Sequence, residues 1–75
     1  MNDQEVTTET KLVLLAQERQ MWLNTREVMT MRYRVAQRIK NEESMKATTK
    51  ELENCEAALD ELDKVFQELQ SEKKT

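Results

Sequence analysis

The C-terminal half of the chain carries mostly apolar side chains at alternating spacings of three and four residues. These positions are Met45, Thr48, Leu52, Cys55, Leu59, Leu62, Phe66 and Leu69. This is the heptad spacing by which one helix buries a stripe of side chains against another helix. The pattern predicts a second helix from about 45 to 70. Its helix-helix seam is expected to consist of Leu52, Cys55, Leu59, Leu62, Phe66 and Leu69.

The N-terminal half carries two neighbouring apolar stripes, each repeating every seven residues. The Leu14 stripe contains Leu14, Met21, Val28 and Val35, with Met31 and Ile39 on its side. The Leu15 stripe contains Leu15, Trp22, Met29 and Ala36. The pattern predicts a first helix from about 5 to 40, with Asp3, Thr7 and Thr8 as candidate N-caps.

An apolar face this wide exceeds what a single partner helix needs, so we expect the first helix to contact two others. The second helix of the same chain is one of them. If its seam packs on one stripe, the stripe around Leu15, Trp22 and Met29 remains available to a partner. The predicted partner interface is Leu14, Leu15, Met21, Trp22, Val28 and Met29.

A polar segment separates the two helical patterns. Residues 40–44 have no apolar side chain and include Asn41 and Ser44, which favour caps and turns. We therefore predict a hinge at about 41–44 and an all-α fold. The predicted fold is an antiparallel, coiled-coil-like two-helix hairpin that forms a single domain over 1–75 and can associate into a helical bundle.

The sequence also allows alternatives to this hairpin. Because the chain lacks glycine and proline, one continuous helix of roughly 100 Å is the alternative fold. Thr48 and Glu51 have capping-box spacing and offer an alternative start for the second helix.

Composition indicates that the domain needs support. A domain of 75 residues is close to the lower limit for independent stability. One cysteine and no histidine exclude an internal disulfide and the usual structural metal sites. Cys55 is expected to pack as a small apolar residue. Self-association or a protein partner is the remaining source of stability.

The two halves of the chain differ in charge. Residues 1–40 contain seven basic and five acidic side chains, whereas residues 41–75 contain five basic and ten acidic ones. Folding at the hinge is expected to bring one basic set near one acidic set. The basic set is Arg26, Arg32, Arg34, Arg38 and Lys40, and the acidic set is Glu51, Glu53, Glu56 and Asp60. The Arg26–Lys40 segment, which contains Tyr33, is also the basis of a less favoured nucleic-acid-binding hairpin, because an acidic chain repels phosphate.

The sequence offers little for catalysis. Without histidine there is no usual base to activate serine or cysteine, and without glycine there is no phosphate-binding loop. We expect no enzyme activity, cofactor, metal or small-molecule substrate. The longest apolar run has five residues and the N-terminus is acidic, so neither a membrane span nor a secretory signal is expected. A cytoplasmic location follows as the expectation.

The run Leu12-Val13-Leu14-Leu15-Ala16, followed by Met21-Trp22-Leu23, is the kind of apolar helix that binds another helix. In size, helical-hairpin architecture and acidic balance, the chain resembles small co-chaperones of bacterial type III secretion. These proteins act with a larger helical-repeat partner to keep needle subunits monomeric in the cytosol. The resemblance implies helix-to-helix contacts with such a partner chaperone and with a needle subunit.

The sequence therefore predicts a non-enzymatic protein interaction module. The first expectation is a small chaperone, co-chaperone or adaptor that sequesters an amphipathic helix of a partner. A structural homo-oligomeric coiled coil or bundle is the main alternative. A small phage or plasmid inhibitor of a host protein is a further alternative that fits the same pattern.

Overall fold

The computed structural model describes residues 6–74 of the chain, and its side chains through residue 72. Helix α1 (Thr8–Arg38) and helix α2 (Glu42–Lys74) are the two elements, and the described residues contain no strand. The helices run antiparallel, because Arg19 lies beside Asp63 and Arg26 lies beside Glu56. The predicted helical hairpin is confirmed, and the continuous helix is not formed.

Helix α1 begins at a polar cap. The Thr10 backbone N–H donates to Thr7 Oγ1 at 3.2 Å, so Thr7 satisfies one of the unpaired N–H groups of the first turn. Thr7 was one of the three predicted caps. Thr8 is the first helical residue, and Asp3 lies outside the described residues.

Helix α1 ends in a Schellman motif without glycine. The Lys40 N–H donates to the Gln37 carbonyl at 3.2 Å and the Asn41 N–H donates to the Ala36 carbonyl at 2.9 Å. Lys40 occupies the left-handed region, with a φ of 58°. Glycine is the usual residue at this position because it has no Cβ, and this chain has none. The turn is therefore made at a cost in backbone strain.

Helix α2 begins earlier than the pattern predicts and continues further. The Ser44 N–H donates to Asn41 Oδ1 at 3.1 Å, so Asn41 caps the helix and the connection comprises only 39–41. Two acidic residues in the first turn, Glu42 and Glu43, interact favourably with the helix dipole. The Thr48 hydroxyl donates to the carbonyls of Ser44 and Met45 within the helix, so it does not form the alternative cap.

The core is a narrow seam between the two helices. In the described part of the chain its buried members are Ala36, Thr48, Cys55, Leu59 and Leu69. On α1, half-buried residues lead up to Ala36 at spacings of three and four. These residues are Leu12, Leu15, Trp22, Met29 and Tyr33, with Arg19 and Arg26 at the intervening positions. The Leu15 stripe is therefore the one that packs against α2.

Candidate partner interface

The Leu14 stripe lies outside the seam and is exposed along its whole length. Met21 is 54% exposed and Ile39 is 65% exposed, and the exposed residues form one continuous row instead of scattered positions. We call this surface the outer face. It consists of Leu14, Met21, Val28, Met31, Val35 and Ile39. From Leu14 to Ile39 the outer face extends about 37 Å along α1, at 1.5 Å per residue.

Helix α2 widens the outer face at both ends of the hairpin. Near the connection, a groove of about 560 Å³ lies between the α1 residues Val28 and Val35 and the α2 residues Ala47 and Thr48. At the other end, Leu14 lines a shallow depression of about 400 Å³ together with Val65 and Leu69. The surface open to a partner is therefore two helices wide.

The six predicted interface residues divide between two environments. Leu14, Met21 and Val28 lie on the outer face and are exposed. Leu15, Trp22 and Met29 are half-buried on the Leu15 stripe. The expectation that the stripe around Leu15, Trp22 and Met29 stays available differs from the structure, in which the Leu14 stripe is the free one.

The residues between the stripe positions explain why the Leu15 stripe, and not the Leu14 stripe, packs against α2. Leu12 and Tyr33 fall at the spacing that completes a three-and-four seam with the Leu15 stripe. Arg19 and Arg26 fall in the same series and pair with carboxylates of α2. The buried stripe could have been identified from the sequence if Arg19 and Arg26 had been counted as members of this three-and-four series together with the apolar residues.

The predicted seam of α2 is largely in place. Cys55 is completely buried, Leu59 and Leu69 are buried, and Leu52 and Leu62 are half-buried. Phe66 differs from the prediction, because 45% of it is exposed. It borders a groove of about 290 Å³ whose lining includes Leu12, Leu15, Leu62 and Phe66, on the side that carries the Arg19–Asp63 ion pair.

Among the described residues, two ion pairs join the helices. Arg19 Nε lies 3.3 Å from Asp63 Oδ1 and Arg26 Nη1 lies 3.2 Å from Glu56 Oε2. All four side chains are at least two-fifths exposed, so each pair is worth only about 0.2–1 kcal/mol. They fix the alignment of the helices more than they stabilise it.

The expected wider cluster of opposite charges does not form. Only Arg26 and Glu56 of the two sets pair, and Arg32, Arg34, Arg38 and Lys40 make no ion pair with a described residue. The register of the two ion pairs explains this, because it places Arg32 level with Lys50 and Arg38 level with Ser44. The end of α1 next to the connection therefore keeps unpaired positive charge.

The remaining chemistry is sparse. Lys64 Nζ donates to Glu61 Oε2 at 3.1 Å, and this hydrogen bond with the charge of Glu61 raises the pKa of Lys64. The indole N–H of Trp22 donates to Glu18 Oε2 at 3.1 Å. Within the described residues, no group of three or more histidine, cysteine or carboxylate side chains is arranged to hold a metal ion. Neither helix, over its described length, is apolar enough to cross a membrane.

The fold and its surface define a two-helix antiparallel hairpin with one covered and one open apolar stripe on α1. Comparisons with protein-family models, with curated proteins and with solved structures find no match to this chain. The functional argument therefore rests on the outer face and on its charged borders.

Proposed function

We propose that this protein is a non-enzymatic interaction module whose outer face binds the apolar side of an amphipathic helix from another protein. The observation that carries the proposal is the outer face, whose large apolar residues from Leu14 to Ile39 are left exposed by α2. Exposed apolar surface of this extent on a small chain is characteristic of a binding site. The hairpin does not need these residues for its own seam.

The shape of the outer face suits a helix. Its main residues repeat every seven positions, which is the spacing that another helix meets with its own stripe. Met21 and Met31 have flexible, polarizable side chains that adapt to different partners. The grooves beside Ala47 and Val65 leave room for side chains of the incoming helix.

We infer the role of a small chaperone or adaptor in the cytoplasm. A protein whose apolar helix would otherwise self-associate stays soluble while the outer face covers it. The resemblance in size, charge and hairpin shape suggests one such client, a type III secretion needle subunit, bound together with a larger helical-repeat chaperone. The hairpin itself would supply one apolar face of that complex.

Site-specific photo-crosslinking in cells tests the proposal. A photoreactive residue in place of Met21 is expected to give a covalent product with a different protein, identified by mass spectrometry. The same residue in place of Glu53, which lines the groove next to Tyr33 and Met45, is the control and is expected to give no such product. Adding Val28→Asp is expected to abolish the Met21 product, because a carboxylate is poorly solvated in an apolar interface.

Three results would contradict the proposal. The first is equal crosslinking from Met21 and Glu53. The second is a Met21 product that survives Val28→Asp in a variant whose helicity is normal. The third is a product that contains only copies of this chain.

A further inference from the structure

The two ends of the hairpin carry different charge. The hinge end, residues 26–56, contains seven basic and six acidic side chains. The open end, residues 6–25 together with 57–72, contains three basic and seven acidic side chains. Because Arg32, Arg34 and Arg38 make no ion pair with a described residue, their charge is available to an external partner. The hairpin is electrostatically complementary to a reversed copy of itself.

We propose that, when no client is bound, two copies of this chain cover each other's outer faces in an antiparallel four-helix bundle. A two-fold axis passes near Asn24 and Thr25, so the hinge end of one copy lies beside the open end of the other. A parallel arrangement would bring the two hinge ends together and the two acidic open ends together, which like-charge repulsion disfavours. The charge distribution thus favours a second copy of this chain as the molecule that covers the outer face. It also favours the antiparallel orientation of that copy.

A specific register follows from the heptad spacing. Placing Leu14 opposite Val35 of the second copy also places Met21 opposite Val28. The same register brings Glu18 beside Arg32 of the second copy, and the two-fold axis repeats this pair. Glu18 and Arg32 both border the outer face, because Glu18 lines the depression at the open end and Arg32 lines the groove at the hinge end.

The available area is sufficient. Two helices lying side by side, each about 11 Å in diameter with its side chains, form a face roughly 22 Å wide. A strip of that width and about 37 Å long covers roughly 800 Å², which is about what one partner buries in a stable interface. Packing two hairpins side by side also gives the usual geometry of a four-helix bundle, in which every helix contacts two neighbours.

The dimer would regulate the site of the proposed function. Because the second copy and a client helix use the same outer face, a client binds only after the dimer dissociates. This regulatory consequence rests on the proposed function, whereas dimerisation itself does not. An experiment can therefore contradict the dimer without contradicting the proposed function, and an experiment can contradict the proposed function without contradicting the dimer.

Charge reversal in two complementary variants tests the arrangement. The first variant is Arg32→Glu at the hinge end. The second is Glu18→Lys at the open end. Light scattering over a concentration series is expected to show a dimer for the wild-type chain and a dissociation constant raised at least about tenfold for each variant. An equimolar mixture of the two is expected to restore the dimer, because residue 18 of each copy again lies beside a residue 32 of opposite charge.

Each other result overturns the inference. A wild-type chain that is monomeric at every concentration removes the dimer and leaves the client proposal to the crosslinking experiment. Variants that dimerise as tightly as wild type show that the charged ends do not direct association. Variants that stay monomeric when mixed, with circular dichroism that shows normal helicity, exclude the antiparallel arrangement.

Disulfide trapping tests the register without altering charge. In a Cys55→Ala background, Met21→Cys and Val28→Cys chains are prepared separately and oxidised alone or mixed. The mixture is expected to crosslink faster than either chain alone, because residue 21 of one copy lies opposite residue 28 of the other. Glu53→Cys mixed with Met21→Cys is the control and is expected to stay uncrosslinked. Fastest crosslinking of the Met21→Cys chain with itself would show a parallel dimer and overturn the proposal.

Discussion

The Leu14 stripe and the Leu15 stripe run side by side along α1, repeat with the same period, and have different surroundings. Both are apolar, and both are long enough to pack against a helix. The Leu15 stripe is half-buried to buried against α2, whereas the Leu14 stripe is exposed. The intervening residues make the difference, because Leu12, Arg19, Arg26 and Tyr33 complete a seam only with the Leu15 stripe. A heptad stripe indicates that a helix packs against another helix. Where two such stripes lie side by side, the residues between the stripe positions indicate which stripe the second helix of the hairpin covers.

The largest expected effect comes from placing a charge in the covered seam. Leu59 is buried on α2, and Leu59→Asp leaves a carboxylate among buried residues of the seam that include no basic side chain. We expect a loss of about 3–5 kcal/mol in the free energy of unfolding, the range measured for uncompensated buried charges. In a domain this small that loss unfolds the hairpin. Circular dichroism at 222 nm during thermal denaturation measures it.

Met21→Asp is the matched control, because it makes the same chemical change on the outer face. Its carboxylate stays in water, so the monomer is expected to keep its helicity and its stability within about 0.5 kcal/mol. Equal destabilisation by Leu59→Asp and Met21→Asp would mean that both stripes are covered in the monomer. The distinction between the two faces would then be lost.

The next largest effect is expected at Trp22, and it is compared with the effect of the same substitution at its sequence neighbour Met21. Trp22 is half-buried in the seam, so Trp22→Ala is expected to cost about 2 kcal/mol, roughly half the loss for a fully buried tryptophan. Met21→Ala is expected to change the unfolding free energy by less than about 0.5 kcal/mol. Urea denaturation of the two variants at a concentration where the chain is monomeric gives both values. A Trp22→Ala variant as stable as wild type would place the indole outside the core.

A smaller effect is expected at the connection, which belongs to neither stripe. Lys40 has a positive φ, and Lys40→Gly removes the Cβ that makes this conformation unfavourable. We expect a gain of about 1 kcal/mol in stability, with association through the outer face unchanged. Lys40→Ala keeps a Cβ and is expected to give no gain. If Lys40→Ala stabilises as much as Lys40→Gly, the effect comes from the lost charge and not from the backbone.

The sequence predicts the hairpin well because its main signals are local. Heptad spacing gave both helices, and the five polar residues around Asn41 gave the position of the connection. The bounds of α2 were less accurate, because the cap provided by Asn41 starts the helix at Glu42. The Schellman turn at Lys40 carries no sequence signal, since glycine is its usual mark.

The candidate site was harder to predict than the fold. The breadth of the apolar surface on α1 indicated two contacts, but the choice between Leu14 and Leu15 as the free stripe depends on packing across the hairpin. Pairing of charges also depends on register, which is why Arg26 finds Glu56 while Arg32 and Arg38 find no carboxylate among the described residues. Phe66 follows the seam spacing and is nevertheless 45% exposed, a position that spacing alone does not reveal.

The smallest effect concerns the ion pairs that border the covered stripe. Arg26 and Glu56 are 41% and 63% exposed, so solvent screens their attraction. A double-mutant cycle with Arg26→Gln and Glu56→Gln is expected to give a coupling energy of about 0.5 kcal/mol that disappears in about 1 M salt. Arg34→Gln combined with Glu56→Gln is the control, and it is expected to show no coupling because Arg34 makes no ion pair with a described residue. If the coupling energy between Arg34 and Glu56 equals that between Arg26 and Glu56, the basic residues of α1 act on Glu56 by long-range attraction and not through one specific ion pair. The pairing of Arg26 with Glu56 would then have no part in selecting the Leu15 stripe.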